Sequence, residues 1–144
     1  MSTNEIDHIK SFYSEYENLI ATANYKQVAE RYTEQGAILT TYGTTKVLSQ
    51  EEVRSFYDKI PSPACNFRFD DLQIELLNDN AAMVNAIMHC QLKEQTEVAK
   101  LMYTAVLLKS PEGWKIRHEH ESPVFETFKN MLKKMDEQAK SKNQ

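Results

Sequence analysis

Hydrophobic positions from Glu5 to Ala23 recur at helical spacing, with Ile6, Ile9, Tyr13, Tyr16 and Ile20 on one stripe and Phe12 and Leu19 widening it. This pattern predicts one long amphipathic helix. Ser2 and Glu5 have the spacing of a capping box at its start. Asn24 with Gln27 predicts the cap of a short second helix carrying Val28, Ala29 and Tyr32, which Gly36 ends in a left-handed conformation. Ala37 to Tyr42 is short, apolar and threonine-rich, and Gly43 follows it, as expected of a first strand running into a turn. Ser49 and Glu52 give a second capping-box pattern. Behind it Val53, Phe56, Tyr57 and Ile60 form a helical face that Pro61 and Pro63 stop.

Beyond Pro63 the period changes to two. Alternating runs near Asn66–Leu77, Ala81–Lys93, Glu97–Lys109 and Trp114–Ser122 predict four long antiparallel strands. The separators are Asn78-Asp79-Asn80, the polar stretch from Lys93 to Thr96, and Ser110-Pro111-Glu112-Gly113, whose Pro and Gly suit a type I turn. Asp70 and Asp71 interrupt the first of these strands and mark a bulge or a pocket-facing acid. On the second, Val84, Ala86, Met88, Cys90 and Leu92 share one face, with Asn85, Ile87, His89 and Gln91 on the other. The third is apolar on both sides, Leu101, Tyr103, Ala105 and Leu107 against Met102, Val106 and Leu108, and so needs cover twice. Three helices cover one sheet face, and a second copy of the chain is expected on the other, as a homodimer through the sheet.

With 144 residues there is room for one domain with its own core, and 41% hydrophobic with 26% charged residues is ordinary for a globular protein. Seventeen basic against 21 acidic residues, a net charge of −4, form no Lys/Arg stripe, so nucleic acid is not an expected partner. Cys65 and Cys90 lack metal or redox spacing and read as free buried thiols, which suits a cytoplasmic protein. MSTNEIDHIK has no apolar signal region and no apolar run reaches membrane-spanning length, so no membrane partner is expected.

Strict alternation along Trp114–Ser122 places Trp114, Ile116, His118, His120 and Ser122 on one face and Lys115, Arg117, Glu119 and Glu121 on the other. Four charged groups sharing a face want water. The histidines are therefore expected to line the concave side with the aromatic residues. A half-buried histidine moves protons near neutral pH, so His118 and His120 are the catalytic candidates of this reading. Further ligand-binding candidates are Trp114, Tyr16, Tyr42, Tyr57, His89 and Tyr103, with Tyr32 a further phenol for the pocket, and their polar tips can orient a bound oxygen function. No carboxylate or cysteine is placed to complete a metal site with His118, His120 and His89, so neither metal nor cofactor is expected.

The order helix, helix, strand, helix and four long strands, closing on Gly113-Trp114-Lys115-Ile116-Arg117-His118-Glu119-His120-Glu121-Ser122, resembles the SnoaL-like branch of the nuclear transport factor 2-like superfamily over about Ile6 to Pro123. The closing pattern is also similar to that of the association domain of calcium/calmodulin-dependent kinase. The resemblance implies an α+β fold in which a curved antiparallel sheet forms a cone around the first helix, with a cavity at one end and dimers across the sheet. Residues 1–123 then form the SnoaL-like domain. The remainder, 124–144, reads as an added amphipathic helix through Phe125, Phe128, Leu132 and Met135 with a Lys-rich tail. Three functions fit such a scaffold: binding a small, largely apolar molecule in the cone, a dehydratase, isomerase or cyclase reaction using His118 or His120, and a protein-interaction or oligomerisation module.

Overall fold

The computed structural model describes residues 2–41, 44–58, 65–92, 98–124 and 126–142. Helix α1 (Ser2–Ala21) is followed by α2 (Tyr25–Glu30), β1 (Ala37–Thr41), β2 (Thr44–Leu48) and α3 (Gln50–Asp58). Four long strands come next, β3 (Cys65–Asn78), β4 (Ala81–Leu92), β5 (Ala99–Ser110) and β6 (Gly113–Pro123), and α4 (Glu126–Lys142) closes the chain. One six-stranded sheet runs in the order β2-β1-β6-β5-β4-β3, antiparallel throughout except where β1 lies parallel to β6. The helices α1 to α3 gather on one face of it, and this α+β arrangement is the expected one.

The helical stripe of α1 buries Ile9, Phe12, Tyr13, Tyr16 and Ile20 against the inner face of the long strands. From β4 that face supplies Ala82, Val84, Ala86 and Met88, and from β5 Leu101, Tyr103, Ala105 and Leu107, as alternation predicts. The Ser49–Glu52 capping box closes: the Glu52 backbone N–H donates to Ser49 Oγ at 3.2 Å, and the Ser49 N–H to Glu52 Oε1 at 3.3 Å. Asn24 caps α2 by accepting the Gln27 N–H at 3.4 Å.

Three local expectations change, and the alternatives left open at Asp70 and Asp71 resolve. The helix α1 already includes Ser2, and the Glu5 carboxylate, instead of closing a capping box, takes the Trp114 indole N–H at 3.0 Å and the Lys109 ammonium at 3.0 Å. Helix α2 stops at Glu30, so Tyr32 is not helical but bridges to Ile116 in parallel. Gly36 does take φ +97°, in the turn that leads to β1. The segment 44–48 is a strand, β2, which pairs back onto β1 as a hairpin and which the sequence pattern did not announce. Asp70 and Asp71 form a bulge: the β3–β4 register shifts between Asp70 and Gln73, and Asp71 takes φ +53°. Asp70 ends on the outer face between Arg68 Nε at 2.9 Å and His89 Nε2 at 3.1 Å.

The C-terminal α4 lies away from the core, with Met131, Leu132 and Met135 half exposed or more. Pro61 and Pro63, Phe125 and the turn at Tyr42 and Gly43 lie outside the described residues. No described helix is long and apolar enough to cross a membrane.

Candidate functional site

The site is set by one irregularity in β6. Val106 of β5 pairs with His118, but its neighbour Leu107 pairs with Ile116, so Arg117 is an extra residue without a partner in β5. Such a bulge shifts the alternation by one. Trp114 and Ile116 before it are buried on the inner face, as expected; after it the inward residues are Glu119, opposite Ala105, and Glu121, opposite Tyr103. His118 and His120 pair with Val106 and Thr104 and turn to the outer face. The expectation that the histidines share the concave face with Trp114 is therefore corrected. Strict period-two reading places them on the wrong side because it cannot see the inserted residue.

Glu119 is 5% exposed and faces the core. Its two oxygens are held by phenols from different parts of the chain: Tyr32 donates to Oε1 and Tyr103 to Oε2, each at 2.6 Å. That length is typical of a hydroxyl bound to a carboxylate. The phenols themselves are linked. Tyr13 lies 3.0 Å from Tyr103, Tyr16 lies 3.0 Å from Tyr32, and Tyr57 of α3 lies 3.1 Å from Tyr16, oxygen to oxygen. Edge-on contacts of Phe69 with Tyr13, Tyr16 and Tyr103 wall the cluster in carbon.

Burial pushes the Glu119 carboxyl above its ordinary value, and the hydrogen bonds from Tyr103 and Tyr32 pull part of the way back. Burial likewise raises all five phenols, and the charge of Glu119 adds to this, so they act as neutral hydrogen-bond donors. Half-buried Glu121 is close enough to raise Tyr16 and Tyr57 as well. The arrangement is a buried carboxyl of weakened acidity with preorganised donors around it.

Of the residues singled out from sequence, Tyr16, Tyr57 and Tyr103 meet in this cluster. Trp114 is buried at the hairpin end of the sheet, bound to Glu5. His89 is on the outer face with Asp70, and Tyr42 lies outside the described residues. Tyr32, a pocket candidate by its phenol, is there too, while Glu119 and Tyr13 are new. A sequence signal for Glu119 existed: buried phenols need acceptors, and five inward tyrosines imply a buried polar group to receive them. No group of metal-binding side chains occurs among the described residues.

An open cleft of about 620 Å³ lies elsewhere, lined by Glu30, Glu34, Gln50, Lys109, Glu112 and Lys115 among others. Within it Lys115 Nζ donates to the Glu30 carbonyl at 2.7 Å and lies 3.6 Å from Glu112. Neither Glu119 nor any of the five linked tyrosines lines it.

A helix-backed sheet with an acid and its phenols on the inner face makes this an α+β protein. A model of the SnoaL-like domain matches residues 9–126, and the chain belongs to that family. No curated protein matches the sequence. Solved structures show the same fold at low identity. A candidate dehydratase of the nuclear transport factor 2-like family from Streptomyces avermitilis has TM-score 0.74 and 18% identity, covering 87% of this chain and 99% of that one. A candidate scytalone dehydratase from Novosphingobium aromaticivorans gives 0.73 and 11%, over 86% and 87%. A candidate calcium/calmodulin-dependent protein kinase II association domain from Xanthomonas campestris gives 0.69 and 21%, over 81% and 85%.

Proposed function

We propose that this chain binds a small, largely apolar molecule bearing an oxygen function on the inner face of its sheet and moves a proton on it, as a dehydratase or isomerase does. The observation that carries the reading is Glu119, enclosed in the core and held by two phenols at 2.6 Å. A carboxyl whose acidity burial has weakened can take and return a proton, and fixed phenols stabilise charge that develops on a substrate oxygen. Each carboxylate oxygen keeps a second lone pair for a substrate proton. The proton carrier is thus Glu119, in place of His118 or His120, whose outward orientation sets them on the far side of the sheet. Structures of the same fold described as candidate dehydratases support the class of chemistry.

The test is deuterium incorporation at the benzylic carbon of 2-tetralone, an enolisable ketone, followed by proton NMR in D2O. Wild type exchanges above buffer, Glu119→Gln loses about 100-fold or more, and His120→Ala keeps the wild-type rate. Exchange that survives in Glu119→Gln, or is lost in His120→Ala, overturns the assignment. Ketone bound by both proteins and exchanged by neither makes the chain a binding protein without turnover.

The outer face of β5 supports a second proposal, a homodimer through the sheet. Met102 is 50% exposed there, beside half-buried Ile87, Val106 and Leu108. A dimeric mass by light scattering that Met102→Asp reduces to a monomer is the expected result; a monomeric wild type overturns it.

A further inference from the structure

A buried carboxyl that hands a proton to a bound molecule must recover it. The phenol protons show how. Each tyrosine has one proton to donate. With Glu119 ionised, Tyr32 and Tyr103 direct theirs to the carboxylate. Tyr16 must then donate to Tyr32, Tyr57 to Tyr16, and Tyr13 to Tyr103. Two chains converge on one acid, Tyr57–Tyr16–Tyr32–Glu119 and Tyr13–Tyr103–Glu119.

The outer ends of the chains differ. Tyr13 is 1% exposed and closed in by ring contacts with Phe12, Phe69 and Tyr103. Tyr57 lies on the short helix α3, stacked on Tyr25, and both are 8% exposed at the margin of the core. Half-buried Glu121, inward on β6, bears on Tyr57 and Tyr16. Of the two ends, Tyr57 is thus the nearer to the margin of the core.

We infer that Tyr57 is the port through which Glu119 regains its proton, relayed by Tyr16 and Tyr32. A proton from water or from Glu121 forms a new O–H bond at Tyr57. The Tyr57 proton passes to Tyr16, that of Tyr16 to Tyr32, and that of Tyr32 to Glu119 Oε1. Every phenol ends neutral, and the hydrogen bonds of the chain end reversed. Tyr57 is in this sense a positioning residue. The inference rests on the proposed function only in that Glu119 must change protonation state, so its test uses no substrate.

The experiment is time-resolved infrared difference spectroscopy after a pH jump on the full chain, with the Glu119 carboxyl band assigned by its loss in Glu119→Gln. Tyr57→Phe leaves the Tyr16–Tyr32–Glu119 bonds in place, so a merely structural role leaves the rate unchanged. We expect Tyr57→Phe and Tyr16→Phe to slow protonation about tenfold or more and Tyr13→Phe to leave it at the wild-type rate. Wild-type kinetics in Tyr57→Phe, equal slowing in Tyr13→Phe, or a carboxyl band that never responds to pH overturns the relay. If the variants do not fold, the wild-type rate in H2O/D2O mixtures decides. A curved dependence on deuterium fraction reports several protons in flight, and a linear one overturns the relay. Failure of ketone exchange with an intact relay would remove only the proposed reaction.

Discussion

Ile116 and Glu119 turn their side chains to the same side of β6 although they stand three positions apart, an odd interval that places side chains on opposite faces of a regular strand. The unpaired Arg117 between them makes up the difference. Its guanidinium also donates to the Gly36 carbonyl at 2.9 Å, tying the bulge to the turn before β1. Removing the side chain and removing the residue should therefore cost alike. Arg117→Ala loses one hydrogen bond and is expected to cost about 1 kcal/mol. Deleting Arg117 loses the same bond and the bulge, but leaves Ile116 and Glu119 two positions apart on a regular strand, so Glu119 keeps its phenols and His118 and His120 stay outside. Urea unfolding of the two variants checks this; a deletion that costs about 3 kcal/mol or more would mean that Glu119 had left its phenols.

The raised Glu119 carboxyl fixes the sign of a pH effect. Folded protein holds this proton above the ordinary carboxyl value of 4.5, where the unfolded chain has released it. The stabilisation is fully present below the unfolded value and is lost as pH rises through the folded one. Wild type should therefore lose stability between the ordinary and the raised value, by at most about 1.4 kcal/mol per pH unit for one proton. Glu119→Gln has no such proton, and its stability curve should lack that decline. Parallel curves for the two proteins across this range would show that Glu119 keeps an ordinary acidity.

The sequence carried the helices, the long strands and most inward residues because those follow from periodicity, and Ser49 with Glu52 capped α3 as their spacing implied. It missed β2, whose Thr44, Thr45 and Lys46 have no strong apolar alternation. It also missed the acid at the centre of the site. One residue inserted into β6 leaves every residue type in place and inverts which of them face inward, so Glu119 read as solvent-facing and His120 as buried. Such a bulge is fixed by pairing with β5 and by the Arg117–Gly36 contact, which no local pattern records. The tyrosines were legible singly, as residues with a polar tip. Their convergence was not, because Tyr13, Tyr32 and Tyr103 come from three separate elements.

Gly36 shows how tightly that neighbourhood is set. It takes φ +97°, and a Cβ there would lie 2.2 Å from the Leu48 backbone oxygen. Its carbonyl accepts from Arg117 and from the Thr33 hydroxyl. Gly36→Ala thus meets both backbone strain and a clash with main chain that cannot rotate away, and should cost about 3 kcal/mol or more. Since the turn follows Tyr32, the folded fraction of this variant should also lose the Tyr32–Glu119 bond, visible as a shifted Glu119 infrared band. A thermal midpoint within error of wild type would mean the β1–β2 hairpin yields freely at Leu48.

At the hairpin end of the sheet, Glu5 joins α1 to the β5–β6 turn through Lys109 and Trp114, both at 3.0 Å. The Lys109 hydrogen bond is the largest influence holding the Glu5 carboxyl below its ordinary 4.5, with the indole N–H adding to it. A lowered folded-state value reverses the sign found for Glu119. The contact is present above the ordinary carboxyl range and is lost as pH falls through the lowered value. Trp114 is the one tryptophan of the chain, so its fluorescence reports on the surroundings of this indole. Emission should change on acidification with a midpoint below 4.5, and salt should raise that midpoint by screening the ammonium. In Glu5→Gln the amide oxygen still accepts the indole N–H while the titration disappears. An acid transition that persists unchanged in Glu5→Gln would assign the Trp114 signal to another carboxyl and leave the α1–hairpin tie without its proton.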